Sequence, residues 1–79
     1  MSIVIYSSKN CPFCELAKKI LDSKNLSYKV IDVGSDIQKR KELMLKSNGR
    51  RTVPQIFIND KHIGGYDELS LLNSKGKLI

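Results

Sequence analysis

Two cysteines stand in this 79-residue chain, and only two residues separate them, in the run Asn10-Cys11-Pro12-Phe13-Cys14. Upstream, Ser2-Ile3-Val4-Ile5-Tyr6-Ser7 is β-branched and aromatic and reads as a buried strand. Downstream, Pro12 to Lys24 reads as an amphipathic helix. Pro12 suits its first turn, where a missing N–H costs nothing. The pair therefore sits where a strand hands over to a helix. A second strand, Ser27 to Val33, follows. Two strands joined by one helix predict a right-handed parallel βαβ unit.

A CxxC at the start of such a unit reads as a thiol–disulfide redox site. The free N–H groups and macrodipole of a helix N-terminus stabilise an anion. There and in CxxC contexts, thiol pKa values come down to roughly 3.5–7.5. Cys11 lies nearest the helix N-terminus and is the candidate nucleophile. Cys14, one turn inside and more covered, is the candidate resolving thiol. A bond between them closes a tiny loop, so it constrains little of the unfolded chain. Catalytic use fits better, in a reducing cytosol. Lys9 adds a positive charge nearby, or is an ordinary exposed loop lysine. A structural zinc site needs four ligands, and His62 is the sole further nitrogen or sulfur ligand, so no metal is expected.

The length predicts one domain, residues 1–79. Met1 leads straight into the first strand, so no signal peptide is expected. No apolar stretch approaches the roughly 20 residues of a membrane span. Fourteen Lys and Arg against eight Asp and Glu leave a net charge of +6. The basic residues are scattered without a nucleic-acid motif, which argues for a solvated surface, or for an anionic small substrate or acidic partner proteins.

Within the first helix, Leu16, Ala17, Ile20 and Leu21 are the predicted core face. Tyr28, Val30 and Ile31 are the predicted buried positions of the second strand. Ser35-Asp36-Ile37-Gln38 has capping-box spacing, with Ser35 as N-cap. That helix runs to about Ser47, with Ile37, Leu43 and Met44 inward, and Asn48-Gly49 ends it. Gln55 to Ile58 is a third strand, Asn59-Asp60 a short turn and Lys61 to Ile63 a fourth strand. Gly64-Gly65 opens a last helix, Tyr66 to Ser74, anchored by Leu69, Leu71 and Leu72. The order is βαβαββα. The short turn implies an antiparallel hairpin, so a four-stranded mixed sheet with helices on both faces is predicted. Pro54 reads either as an edge proline or as a cis X-Pro that turns the Val53 backbone toward a peptide-like substrate.

Three motifs stand in order: Cys11-Pro12-Phe13-Cys14, Thr52-Val53-Pro54-Gln55-Ile56-Phe57-Ile58 and Gly64-Gly65-Tyr66-Asp67-Glu68-Leu69. On these the chain resembles the glutaredoxins, above all the short bacterial dithiol forms, over nearly its whole length. The resemblance implies a thioredoxin-like fold and a cis proline at Pro54. It implies glutathione as cosubstrate, no bound cofactor, and disulfide-bonded or glutathionylated client proteins. It assigns Cys11 as nucleophile and Cys14 as resolving cysteine, with Pro12 and Phe13 at the glutathione site. The Val53 backbone would pair with the cysteinyl part of glutathione, beside Thr52 and Pro54. The Gly65-Tyr66-Asp67 turn would hold the γ-glutamyl end, its helix N-terminus facing the carboxylate and Asp67 the ammonium. Lys41, eleven residues before Thr52, and Lys9 match basic contacts. Phe13 departs from the tyrosine more usual there, which removes a hydroxyl.

Each assignment has a plainer reading beside it. Asp67 alone is a first-turn acid complementing the helix dipole. Lys41 alone is a solvated helix lysine, Tyr66 a packing aromatic, Arg50 and Arg51 solvated loop residues, and His62 a half-exposed strand residue. The expected activity is glutathione-dependent reduction of protein disulfides and glutathione mixed disulfides by a cytoplasmic monomer. Neither nucleic acid nor a membrane is an expected partner. Two rivals are a similar redoxin served by thioredoxin reductase, and an iron–sulfur carrier with Cys11 and glutathione ligating a cluster between two monomers.

Overall fold

The computed structural model describes residues 1–78, and its seven elements follow the predicted order. They are β1 (Ile3–Ser7), α1 (Pro12–Ser23), β2 (Lys29–Asp32), α2 (Ile37–Lys46), β3 (Gln55–Ile58), β4 (Lys61–Gly64) and α3 (Tyr66–Ser74). The four strands form one sheet in the order β2-β1-β3-β4. β1 runs parallel to β2 and antiparallel to β3, and β3 and β4 form the hairpin. The sheet is mixed, as predicted.

Alternation along the central strands builds two cores. Ile3 and Ile5 of β1 and Ile56 of β3 face α1 and α3, where they meet Ala17, Leu21 and Leu69. Tyr6 and Phe57 face the other way and meet Leu43 of α2 and Val33. Helices thus cover both faces. The Tyr6 and Phe57 rings meet edge-on with centroids 5.4 Å apart, a favoured aromatic geometry. Leu78 also reaches the α1/α3 core.

Several local expectations shift. On α1 the buried residues are Cys14, Ala17 and Leu21; Ile20 is half-buried and Leu16 exposed. At 3.6 residues per turn Leu16 falls about half a turn round from Cys14. Turning Cys14 inward therefore turns Leu16 out. β2 is shorter than predicted and lies at the sheet edge, so Val30 is exposed and Tyr28 and Ile31 only half-buried.

α2 starts one residue later than its capping-box spacing suggests. Asp36, not Ser35, is the N-cap, and its Oδ1 accepts from the Lys39 N–H at 3.1 Å. A carboxylate acceptor is charge-assisted and stronger than a hydroxyl. Lys39, not Gln38, then occupies the third helical position, so no box closes. Ile37, at the first position, is 71% exposed, whereas Leu43 is buried and Met44 half-buried. The buried Ser47 hydroxyl ends the helix between the carbonyls of Leu43 (2.6 Å) and Arg50 (2.9 Å). β4 runs one residue further than predicted, to Gly64. In α3, Leu69 is buried, Leu72 half-buried and Leu71 exposed.

Candidate active site

Cys11 is the N-cap of α1, with an extended backbone (φ −116°, ψ 98°). Its Sγ accepts from the Cys14 N–H at 3.2 Å. This is one of the donors a helix N-terminus leaves unpaired. The two cysteines are joined as a disulfide, with Cα atoms 5.2 Å apart. Cys14 is fully buried and Cys11 half-buried. An incoming molecule meets Cys11 first, which is the predicted asymmetry.

The loop before β3 comes up beside this pair. The Val53–Pro54 peptide bond is cis, as the resemblance implies. The Val53 carbonyl oxygen lies 3.8 Å from Cys11 Sγ. In the disulfide that sulfur has no proton, so the approach is one of position and not a hydrogen bond. Thr52, Val53 and Pro54 line one side of a cleft of about 170 Å³. Phe13 and Tyr66 line another, their ring centroids 5.6 Å apart.

The N-terminus of α3 supplies the third wall, through Gly65, Asp67 and Glu68. Gly65 comes so near the cis-proline loop that a Cβ there would stand 3.1 Å from the Pro54 carbonyl oxygen. Glu68 Oε1 accepts from the Gly65 N–H at 2.6 Å and lies 3.5 Å from Arg50 Nη2. Gly65 has no side chain to return that bond, so no side chain caps the first turn. The first N–H groups of α3 are left facing outward with Asp67.

Seven of the predicted residues thus meet in one cleft: Phe13, Thr52, Val53, Pro54, Gly65, Tyr66 and Asp67. Lys9 and Pro12 instead line a second hollow together with Cys11 itself, Asn10 and Glu15. Cys11 is not among the residues lining the cleft and meets it through the Val53 carbonyl. Lys41 is exposed on α2 and is not among the residues lining the cleft. Arg50, read from sequence as a solvated loop residue, does line it, as does Glu68. The signal for Glu68 is its spacing, three residues after the Gly65 cap. Arg50 carries no such signal, because its place depends on how α2 ends at Ser47.

His62 is half-buried, as predicted, and its Nε2 lies 2.7 Å from Gln55 Oε1. Burial, and then the charge of Arg50, lower its pKa from the ordinary histidine value, while Glu68 opposes them. No group of three or more His, Cys, Asp or Glu among the described residues is placed to hold a metal ion. No helix among them is long and apolar enough to cross a membrane.

A redox pair at a helix N-terminus on this sheet, with the loop before β3 against it, defines a thiol–disulfide oxidoreductase of thioredoxin-like fold. Similarity to known proteins agrees. The glutaredoxin family model matches residues 3–63. Glutaredoxin 1 of Rickettsia conorii is 45% identical over 78 residues, which span 98% of this chain and 76% of that protein. The solution structure of glutaredoxin from Brucella melitensis superposes with a TM-score of 0.85 at 38% identity, covering 99% of this chain and 84% of that one. The crystal structure of a buckwheat glutaredoxin–glutathione complex superposes with a TM-score of 0.84 at 31% identity, covering 96% and 71%. The chain belongs to the glutaredoxin family.

Proposed function

We propose that the protein reduces protein disulfides and glutathione mixed disulfides at the expense of glutathione, with Cys11 attacking and Cys14 resolving. The observation that carries this reading is the half-buried Cys11 at the head of α1, against the Val53 carbonyl, with Cys14 fully buried behind it. The buckwheat relative, solved as a complex with glutathione, supports the ligand class. The activity belongs to one domain, residues 1–79, acting as a monomer in a reducing cytosol.

In the dithiol route the Cys11 thiolate attacks one sulfur of a client disulfide and releases the other as a thiolate. The Cys14 thiolate then attacks the Cys11 sulfur. The second client thiol leaves and the Cys11–Cys14 disulfide closes. One glutathione thiolate next attacks Cys11 and frees Cys14. A second attacks the bound glutathione sulfur, which releases Cys11 and glutathione disulfide. In the monothiol route Cys11 takes glutathione directly from a glutathionylated protein and passes it to free glutathione. The Cys14 N–H that meets Cys11 Sγ at 3.2 Å favours the thiolate in each step.

The cleft is smaller than the roughly 300 Å³ or more of an enclosed ligand pocket. That suits an extended peptide lying along it. The cysteinyl part pairs with the Val53 backbone beside Thr52 and Pro54, flanked by Pro12 and Phe13. The γ-glutamyl carboxylate meets the free N–H groups at Tyr66 and Asp67, in the first turn of α3, and its ammonium meets the Asp67 side chain. Arg50, 3.5 Å from Glu68 and beside Gly65, serves the same γ-glutamyl end, and Lys41 and Lys9 serve the glycyl carboxylate.

Coupled NADPH oxidation tests the reading. The protein should turn over a disulfide with glutathione and glutathione reductase, and not with thioredoxin reductase alone. The opposite pattern would favour the thioredoxin-reductase rival.

A further inference from the structure

Three side chains form one hydrogen-bonded line from β4 to the loop that carries the cleft. His62 Nε2 lies 2.7 Å from Gln55 Oε1, and Gln55 Nε2 donates to Thr52 Oγ1 at 3.2 Å. Gln55 has no solvent exposure, although it opens an otherwise apolar strand. A buried amide has no water to turn to, so its two neighbours decide which way it points. Its Oε1 accepts and therefore requires an N–H on His62 Nε2. Its NH₂ donates and therefore requires a lone pair on Thr52. The Thr52 hydroxyl accepts that bond, so its proton does not point at Gln55 and is available to another acceptor. Thr52 itself lines the cleft. The Phe57 ring, its centroid 5.0 Å from that of His62, holds the imidazole in place.

We propose that His62 and Gln55 are positioning residues, which hold the Thr52 hydroxyl as a hydrogen-bond donor to a carbonyl or carboxylate oxygen of the disulfide substrate. The reverse orientation shows what the line prevents. With the amide turned over, its NH₂ would face His62 and its oxygen Thr52. Thr52 would then give its proton inward and offer the cleft only an acceptor. An imidazole carrying its proton on Nδ1 would permit that reversal; one carrying it on Nε2 forbids it.

The surroundings of His62 bear on its protonation. Arg50, on the loop after α2, and burial disfavour the cation, and Glu68 on α3 favours it. Lys75 and Lys77, beyond α3, share a surface hollow with the ring, and Lys61 precedes it on β4. The neutral ring with Nε2–H is the form that this set and Gln55 select. The proposal rests on the cleft being the substrate site, but not on glutathione being the substrate.

The test is a double-mutant cycle on the reduced full chain, with a cystine-bridged peptide as substrate. Thr52→Val deletes the hydroxyl at constant shape, and His62→Phe keeps an aromatic ring on Phe57 without the N–H. Each should lower kcat/KM by about three- to tenfold, the worth of one ordinary hydrogen bond, through KM with kcat kept. The double variant should be no worse than Thr52→Val, and His62→Gln should restore most of the loss. Losses that multiply in the double variant, or no loss in His62→Phe, would overturn the relay while leaving the site reading intact. A wild type inert toward the peptide would overturn the site reading and this proposal with it. Ring ¹⁵N shifts of wild-type His62 provide an independent check, needing no turnover. They should report Nε2–H at pH 7; the Nδ1–H tautomer would overturn the relay.

Discussion

Cys11 Sγ lies 3.8 Å from the carbonyl oxygen of Val53, a residue 42 positions further along the chain. The sheet makes that approach. β1 ends by pairing Tyr6 with Gln55 at the start of β3. The loop leaving β1 and the loop entering β3 therefore arrive at the same end of the sheet. One brings the redox pair at the head of α1 and the other a free backbone. A substrate sulfur joined to Cys11 would carry its own backbone alongside Val53.

After reduction, Cys11 should react as a thiolate at pH values where an ordinary thiol is inert. It heads α1 and takes the Cys14 N–H. Iodoacetamide alkylation rates followed against pH check this. The rise should be complete well below about pH 8.5, the ordinary thiol value, and an inflection at that value would contradict it.

Gly64→Ala should cost stability and disturb the site. Gly64 has φ +128°, a conformation that L side chains rarely adopt, and an added Cβ would run into the Glu68 carboxylate and stem. The strain alone is worth about 1–3 kcal/mol. Moving Glu68 also frees the Gly65 N–H and releases Arg50. Urea unfolding should show the loss, and the apparent KM for glutathione should change with it.

Asp67→Ala, Arg50→Ala and Lys41→Ala should each weaken apparent glutathione binding by less than about tenfold, because exposed charge pairs contribute roughly 0–1 kcal/mol each. The losses should shrink as salt rises. Arg50, lining the cleft, should matter more than Lys41, which does not. The apparent Michaelis constant for glutathione, measured at low and high salt, checks both the ranking and the screening.

The redox motif and the element order were legible because their signals are local; that β3 pairs with β1 in the middle of the sheet was not. Apolar runs and the Asn59-Asp60 turn mark β1, β3 and β4 within a residue, and Pro12 and Gly65 mark the starts of α1 and α3. What was illegible depends on neighbours distant in sequence. Val30 is exposed because β2 is an edge, and edge position is not written in a strand's own pattern. Leu16 is exposed because Cys14, predicted to be covered but left out of the core face, takes its place in the buried stripe of α1. The Ser35 cap lost to a stronger acceptor one residue on. In the site, the resemblance supplied Thr52–Pro54 and Gly65–Asp67. Arg50 and the His62–Gln55–Thr52 line went unseen, since only the folded chain sets a β4 histidine beside a buried β3 amide.

His62 should make stability fall in mild acid. Its pKa is lowered in the fold, so below the ordinary value of about 6.5 the unfolded chain binds a proton that the folded one resists. Stability is lost as pH drops from about 6.5 toward the depressed folded value, and this contribution levels off below it. Urea midpoints between pH 7.5 and pH 5 should show the fall, and His62→Phe should flatten that part of the curve.

The most direct test is turnover of a small glutathione mixed disulfide by the wild type, Cys11→Ser and Cys14→Ser, with glutathione and glutathione reductase. The half-buried Cys11 should be indispensable, and the fully buried Cys14 needed only to resolve protein disulfides. The wild type should be active, Cys14→Ser should keep substantial activity, and Cys11→Ser should have none. An active Cys11→Ser beside a dead Cys14→Ser would contradict the assignment at its centre.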